Sequence, residues 1–191
     1  MPRLDPRSPL VLDTRDLSRQ PGSLLKIDRE VQSPEELGTD IVAVPAGAPV
    51  ELAVRLEAVS EGVLVSGSVR ATASGACVRC LEPVHLAVEP SFQELFAYAD
   101  RAAHHREVGD DSDETEVHVL HGDLIDLLPV LRDTVVPALP FQPVCRADCP
   151  GLCSECGVLL AQEPDHRHDA TDPRWAALGS LLGDHPEERR T

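Results

Sequence analysis

The stretch Cys145-Arg-Ala-Asp-Cys149-Pro-Gly-Leu-Cys153-Ser-Glu-Cys156-Gly157 is the one around which the rest of the chain is organised. Its four thiols fall within twelve residues, at the spacings C-x3-C-x3-C-x2-C. The end from Cys153 to Gly157 has the form of a zinc knuckle, because two residues between ligands allow a tight turn and a following glycine can adopt a left-handed conformation. The Pro-Gly pair at 150–151 breaks any helix here. We therefore predict a loop shaped by the ion it binds.

Zinc is the metal that this ligand set favours, because thiolates suit a borderline-soft tetrahedral ion and four protein ligands make a closed, structural site. A further pair of cysteines lies upstream in Cys77-Val-Arg-Cys80. Two ligand sets are therefore open. The simpler is the contiguous set Cys145, Cys149, Cys153 and Cys156, and in the alternative Cys77 and Cys80 share one ion with Cys153 and Cys156.

Two other roles for these residues are weaker on chemical grounds. Cys77 and Cys80 form a C-x-x-C pair and could act in thiol redox chemistry, but such motifs usually open a helix, and these two lie among predicted strands. His166 and His168 follow the cysteines in an acidic loop. We expect both histidines to be simply exposed, and to serve as ligands only if the thiols divide differently.

Composition limits the class of protein. The chain has 191 residues, enough for one domain with appendages or two small ones, and with 42% hydrophobic but only 3% aromatic residues its core must be built from Val, Leu and Ala. A net charge of −16 argues against a general nucleic-acid binder. There is no apolar run typical of a signal peptide or membrane span, so we expect a cytoplasmic protein, whose paired cysteines are metal ligands or redox groups more often than disulfides.

An enzymatic function has no support in the sequence. The chain contains no Gly-rich phosphate loop, no Ser-His-Asp order worth proposing, and no carboxylate pair with a geometric argument behind it. We therefore expect a protein that is not an enzyme and that has no small-molecule substrate.

Residues 51–98 alternate between apolar and polar side chains with a period of two, which predicts antiparallel strands with one wet face. The first two runs, from Leu52 to Ala58 and from Val63 to Thr72, form a predicted hairpin. A third run begins at Val84 and continues through Pro90 to Tyr98. Cys77 and Cys80 lie where the second run turns into the third. Upstream, residues 10–17 are a candidate edge strand that turns toward residues 23–27.

Two helices are predicted. Leucines and a valine spaced along residues 122–136 form one apolar stripe, which indicates a main helix covering a sheet face, starting regularly near Asp126 or kinking there because of Pro129. Thr171-Asp-Pro173 is a helix start, and Trp175 is expected to be a packing anchor of a short C-terminal helix. The fold class is thus α+β, with an antiparallel, partly barrel-like sheet covered by one main helix.

Charge is distributed unevenly. Residues 101–117 form the clearest linker, and the part from Glu107 to Glu116 contains six acids and no base, which favours a solvated loop that could attract a basic protein. Basic side chains are frequent near the N-terminus, where a modest attraction to phosphate is possible, through Arg3, Arg7, Arg15 and Arg19.

These motifs together resemble the YceD family, a DUF177 domain, over residues 10–183. The resemblance is in Cys77-Val-Arg-Cys80-Leu-Glu-Pro83, Phe92-Gln-Glu94, the quoted cysteine stretch and Asp172-Pro-Arg-Trp175. Val158-Leu-Leu160 departs from the Asn-containing stretch usual in the family. The resemblance implies a non-catalytic protein needed for accumulation of large-subunit (23S) ribosomal RNA, with a large-subunit ribosomal protein or pre-rRNA as partner.

The expected organisation has four parts. Residues 1–9 are a mobile N-terminus, and residues 10–140 form a YceD-like α+β domain with an acidic loop at 101–117. Residues 141–183 form a cysteine-rich zinc-binding segment with the C-terminal helix, and residues 184–191 are a tail.

Overall fold

The computed structural model describes residues 4–101, 118–168 and 174, and most of its secondary structure is antiparallel β-sheet. Several predictions lie outside the described residues: the acidic loop beyond Arg101, the short C-terminal helix with its anchor Trp175, and the tail at 184–191. The described elements are β1 Val11–Asp13, β2 Leu24–Gln32, β3 Leu37–Gly38, β4 Val42–Val44, β5 Pro49–Ala58, β6 Gly62–Ala76, β7 Pro83–Val88, β8 Ser91–Ala97, β9 Leu124–Asp126 and α1 Leu128–Ala138.

The hairpin predicted from the period-two pattern is confirmed as β5 and β6. The two strands pair antiparallel, with Leu56 opposite Val65 and Leu52 opposite Val69. Along β5, every second side chain is buried and those between are mainly exposed, because successive side chains point to opposite faces of a strand. Leu56 and Val65 are completely buried, so this hairpin supplies the centre of the core.

Strand β6 organises the sheet because each of its edges pairs with two shorter strands in succession. One edge pairs with β5 and then β4, and the other pairs with β8 and then β7. The third predicted run is therefore two strands, separated at Pro90, that follow the same edge of β6. The carbonyl of Pro90 accepts a hydrogen bond from the Val69 N–H at 2.9 Å, which keeps the chain on that edge.

The prediction of a partly barrel-like sheet is wrong, because the sheet is open. The outer strands are β2, which pairs with β5, and β3, which pairs with β4, and in the described part of the chain β2 and β3 do not pair with each other. Closure needs a ladder that returns unbroken to the first strand. Here the ladder divides along β6, and β2 remains an edge strand in which only Val31 is buried.

Of the two starts left open for the helix predicted over residues 122–136, the regular start near Asp126 is close to the observed one at Leu128. Leu124–Asp126 forms β9, which pairs with β1 in a separate two-stranded sheet, with Ile125 opposite Leu12. The helix then starts at Leu128, and Pro129 lies in its first turn, where the missing N–H removes no intrahelical bond. The carboxylate of Asp126 accepts the Leu128 N–H at 3.0 Å. In this short strand Ile125 is buried, and Leu124, which the pattern had placed on the helical stripe, is half-buried.

Helix α1 adds a second layer to the core. Its buried side chains Val130, Leu131 and Val135 belong to the same cluster as those of β5 and β6, and the helix lies against β3 and β8. Within the described residues, no helix is long and apolar enough to cross a membrane.

Candidate metal centres

Within the described residues, the six cysteines and two of the histidines form two separate groups of possible metal ligands. In each group, one ligand atom from every residue lies within 4.8 Å of the others. We call them the thiol cluster, which contains Cys77, Cys80, Cys145 and Cys149, and the Cys–His cluster, which contains Cys153, Cys156, His166 and His168. The structure thus divides the contiguous set predicted from the sequence between two places, and joins Cys77 and Cys80 to Cys145 and Cys149.

The turn after β6 positions the first two thiols of the thiol cluster. The Cys77 N–H donates to the carbonyl of Glu82 at 2.8 Å, and the Leu81 N–H donates to the carbonyl of Cys77 at 2.9 Å. Leu81 has a φ of 62°, a left-handed conformation that a non-glycine residue rarely adopts. This backbone has the form of a knuckle turn, and it folds the chain so that the Cys77 and Cys80 side chains face the same point.

The cysteine loop contacts that turn mainly at Arg79, through both its backbone carbonyl and its side chain. The Leu152 N–H donates to the Arg79 carbonyl at 3.1 Å, and the Arg79 guanidinium donates to the carbonyl of Cys149 at 3.0 Å. Gly151, with a φ of +82°, lies so close that an added Cβ would be 3.0 Å from the Arg79 oxygen. The Val78 N–H also donates to the Pro143 carbonyl at 2.9 Å. These contacts bring the second pair of thiols to the first.

The sulfur separations in the thiol cluster suit a tetrahedral ion. The Sγ atoms of Cys77 and Cys149 are 3.9 Å apart, and those of Cys80 and Cys145 are 3.7 Å apart. Four sulfurs at about 2.3 Å from a tetrahedral zinc are separated by roughly 3.8 Å. Cys77, Cys80 and Cys149 are buried while Cys145 is exposed, so the site opens to solvent on one side.

Proximity also perturbs the thiols. Burial raises the pKa of the Cys77 thiol, but backbone N–H groups of Cys145, Cys80 and Arg79 outweigh it and lower the pKa to about 6. The pKa of Cys145 is raised to about 12, first because its thiol lies beside that of Cys149 and also because neighbouring atoms partly desolvate the sulfur of this otherwise exposed residue. The cluster therefore favours one thiolate and opposes the accumulation of more, a repulsion that a bound cation would relieve.

The Cys–His cluster is built on a second copy of the same turn. The Cys153 N–H donates to the Val158 carbonyl at 2.9 Å, and the Gly157 N–H donates to the Cys153 carbonyl at 2.9 Å. Gly157 has a φ of +74°, so the left-handed residue predicted after the second cysteine is present. Backbone N–H groups of Cys156 and Glu155 lower the pKa of the Cys153 thiol to about 6, as the first turn does for Cys77.

Sequence reasoning expected His166 and His168 to be exposed loop side chains, and the structure places their Nε2 atoms at the Cys156 sulfur. One sequence signal would have pointed to them. Two C-x-x-C turns each need two more ligands, and the two remaining cysteines can complete only one of them. Because His166 and His168 follow the second turn by about ten residues, they are the nearest unused nitrogen ligands.

The geometry of Cys77 and Cys80 does not favour the hypothesis that this pair acts in thiol redox chemistry. The Cys77 side chain is completely buried, and each thiol of the pair lies beside a thiol of the cysteine loop. The pair also follows a strand and does not open a helix.

Comparison with known proteins adds a family match. The model of the family described as "Large ribosomal RNA subunit accumulation protein YceD" matches residues 65–182. The chain is 46% identical to the uncharacterized protein Rv2926c of Mycobacterium tuberculosis, over 92% of this chain and 83% of that protein. It is 43% identical to ML1660 of Mycobacterium leprae, over 96% and 83% respectively. It is also 28% identical to YlbN of Bacillus subtilis, over 87% and 92%. No solved structure matches the chain.

Proposed function

The chain belongs to the YceD family, and from that premise we propose that it is a non-catalytic, cytoplasmic assembly factor that supports the accumulation of 23S ribosomal RNA. The family match is the observation that supports this function, since the family is described by large-subunit rRNA accumulation. Its description names an accumulation protein and no reaction.

The thiol cluster has a structural role in this proposal. We propose that it binds zinc, because four thiolates at tetrahedral separations suit that ion. Such an ion would cross-link the turn after β6 to a loop about seventy residues later. A zinc ion here would fix the cysteine loop against the sheet, so that the domain presents one rigid surface to its partner.

A basic large-subunit ribosomal protein suits the charge of this chain better than bare pre-rRNA does. Six arginines of the described part already face carboxylates, which reduces the positive charge available to phosphate. These pairs are Arg15 with Asp13, Arg19 with Asp123, Arg55 with Glu57, Arg70 with Glu51 and Glu89, Arg132 with Glu35, and Arg146 with Asp148. With a net charge of −16, the chain is complementary to an Arg- and Lys-rich protein.

The first test is the ratio of large- to small-subunit rRNA after depletion of the protein. We expect the ratio to fall, to be restored by the wild-type chain, and to stay low with a copy carrying Cys145→Ser and Cys149→Ser. A ratio that does not change on depletion would remove the proposed function. If the double variant restores the ratio, the proposed function stands, but the thiol cluster is not needed for it.

The partner is tested by binding. Replacing the six acids between Glu107 and Glu116 by their amides should weaken binding to basic large-subunit proteins, because it removes six negative charges. Direct rRNA binding has a different signature: affinity falls steeply with salt and depends on the four N-terminal arginines Arg3, Arg7, Arg15 and Arg19. Unchanged protein binding by the amide variant, together with arginine-dependent rRNA binding, would overturn the choice of partner.

Thiol alkylation of the metal-loaded protein distinguishes a structural metal site from thiol redox chemistry at Cys77 and Cys80. A structural site predicts that Cys77 and Cys80 react only after the metal is removed, because ligation and burial protect them. Rapid modification of both in the loaded protein would favour redox chemistry.

A further inference from the structure

We propose that Cys153, Cys156, His166 and His168 bind a second zinc ion, so that the chain contains two tandem sites built on the same turn. This inference goes beyond the proposed function, because it concerns how many ions the chain binds and which segment the second one orders. It does not depend on any role in rRNA accumulation.

The first argument is that three ligand atoms converge on one point. The Cys156 Sγ lies 3.2 Å from the Nε2 of His166 and 3.2 Å from the Nε2 of His168, and the two Nε2 atoms are 2.7 Å apart. A hydrogen on one of these atoms can point along only one edge of this triangle. A cation near its centre interacts with all three, and tetrahedral zinc sets S–N and N–N separations of roughly 3.5 and 3.3 Å. The observed S–N separations are about 0.3 Å shorter than these values and the N–N separation is about 0.6 Å shorter, so the two imidazoles would have to move apart to bind the ion.

The second argument is the position of two carboxylates behind the histidines. The Nδ1 of His166 lies 3.5 Å from Glu163 Oε2, and the Nδ1 of His168 lies 3.4 Å from Glu155 Oε2. Histidines that bind a metal through one nitrogen usually donate the other N–H to a carboxylate, which fixes the tautomer and increases the basicity of the ligand. Each histidine here has its own glutamate carboxylate facing the second ring nitrogen, at ion-pair distance.

The third argument is the path of the backbone. In an extended chain, side chains two positions apart share a face but their tips are well separated, and the His166 and His168 rings instead lie edge to face with centroids 4.5 Å apart. A turn precedes the two histidines, in which the His166 N–H donates to the Glu163 carbonyl at 3.0 Å and orients the segment that carries them. The opposite side of the site is fixed by the bridge between Leu152 and Leu159.

The chemistry of the set selects zinc. Two thiolates and two imidazoles are a common ligand set of structural zinc sites, and carboxylate-preferring ions such as Mg²⁺ and Ca²⁺ are poorly matched to them. The two sites differ in exposure: three of the four cysteines of the thiol cluster are buried, whereas Cys156 and His168 are exposed and Cys153 and His166 are half-buried. The ion in the Cys–His cluster should therefore exchange with solvent and chelators faster than the ion in the thiol cluster.

The test counts zinc in the full chain, purified with its thiols reduced and freed of loosely bound metal. We expect two zinc ions per wild-type chain and one per chain for the double variant His166→Asn, His168→Asn. The matched control is His121→Asn, which removes an exposed histidine outside both clusters and should retain two ions. The double variant Cys145→Ser, Cys149→Ser should also retain one ion, which a chelator removes in a single fast phase.

Cobalt substitution of the wild-type chain gives a second measurement that needs no variant. Titration should fill two sites with different absorption spectra, one from a four-thiolate site and one from a mixed thiolate and imidazole site. A single zinc ion per wild-type chain would overturn the proposal. Two ions retained in the double histidine variant would also overturn it, because the histidines would then not be ligands.

Discussion

Replacing Gly151 by alanine tests the contact through which the cysteine loop reaches the turn after β6. Gly151 has a φ of +82°, and an added Cβ would be 3.0 Å from the Arg79 carbonyl oxygen. That oxygen also accepts the Leu152 N–H at 3.1 Å. The substitution therefore combines backbone strain with displacement of a carbonyl that is already in a hydrogen bond.

The expected loss of stability follows from three terms. An L-residue in the left-handed region costs about 1–2 kcal/mol. Against this, Gly→Ala lowers the entropy of the unfolded chain, which stabilises by about 0.4–1 kcal/mol. Moving the Arg79 carbonyl by a few tenths of an ångström weakens a hydrogen bond worth about 0.5–1.5 kcal/mol. The sum is a destabilisation of about 1–2 kcal/mol.

Gly122→Ala is the matched control. Gly122 has a φ of +69°, and a Cβ there would have no atom within 4 Å, so the substitution introduces the strain without the contact. The assay is equilibrium urea unfolding of both variants at one fixed concentration of free zinc. Their free energies of unfolding are compared provided that the m-values are equal. We expect Gly151→Ala to lose about 1 kcal/mol more than Gly122→Ala, the value of the hydrogen bond.

Equal losses in the two variants would refute the reasoning, because the close approach of Gly151 to Arg79 would then contribute nothing in solution. A second readout is the affinity of the thiol cluster for zinc. It should fall in Gly151→Ala and remain unchanged in Gly122→Ala.

Three further predictions concern the knuckle, the metal and the core. Leu81→Gly should stabilise the protein by roughly 0.5–1 kcal/mol in urea unfolding. Glycine relieves the strain of a φ of 62°, and little packing is lost because Leu81 is 66% exposed. A loss of stability would contradict the strain assigned to this residue. Chelation of the metal should remove hydrogen-exchange protection from the amides of Leu81 and Leu152, while the amides of β5 and β6 stay protected. Loss of protection at all of these amides would show that the sheet itself depends on the metal. Leu131→Ala should lower the free energy of unfolding by about 2–5 kcal/mol, because this side chain of α1 is 1% exposed and packs in the core. A loss below 1 kcal/mol would contradict the packing of this helix against the sheet.

Local features of the fold were predictable because they depend on neighbouring residues. The β5–β6 hairpin follows from alternating side chains between Leu52 and Thr72, and the left-handed residue at Gly157 follows from the spacing of the knuckle. The helix start was harder, because the apolar side chains before Leu128 satisfy a helical stripe and a short strand equally well. The partner of that strand is β1, more than a hundred residues earlier. The pairing with β1 decided between strand and helix.

The amino-acid sequence alone defines the chemistry of the candidate site: six thiols, four of them in two C-x-x-C pairs, favour a borderline-soft tetrahedral ion, and the motifs around them identify the family. Only the tertiary structure decided which ligands meet. Every thiol is equivalent as a ligand in the sequence, whereas an ion selects those within a few ångströms of one point. Hydrogen bonds to Arg79 bring Cys149 to Cys77 across 72 residues, and a turn brings His166 to Cys156. Those distances are set by how separate segments pack, which no local pattern encodes.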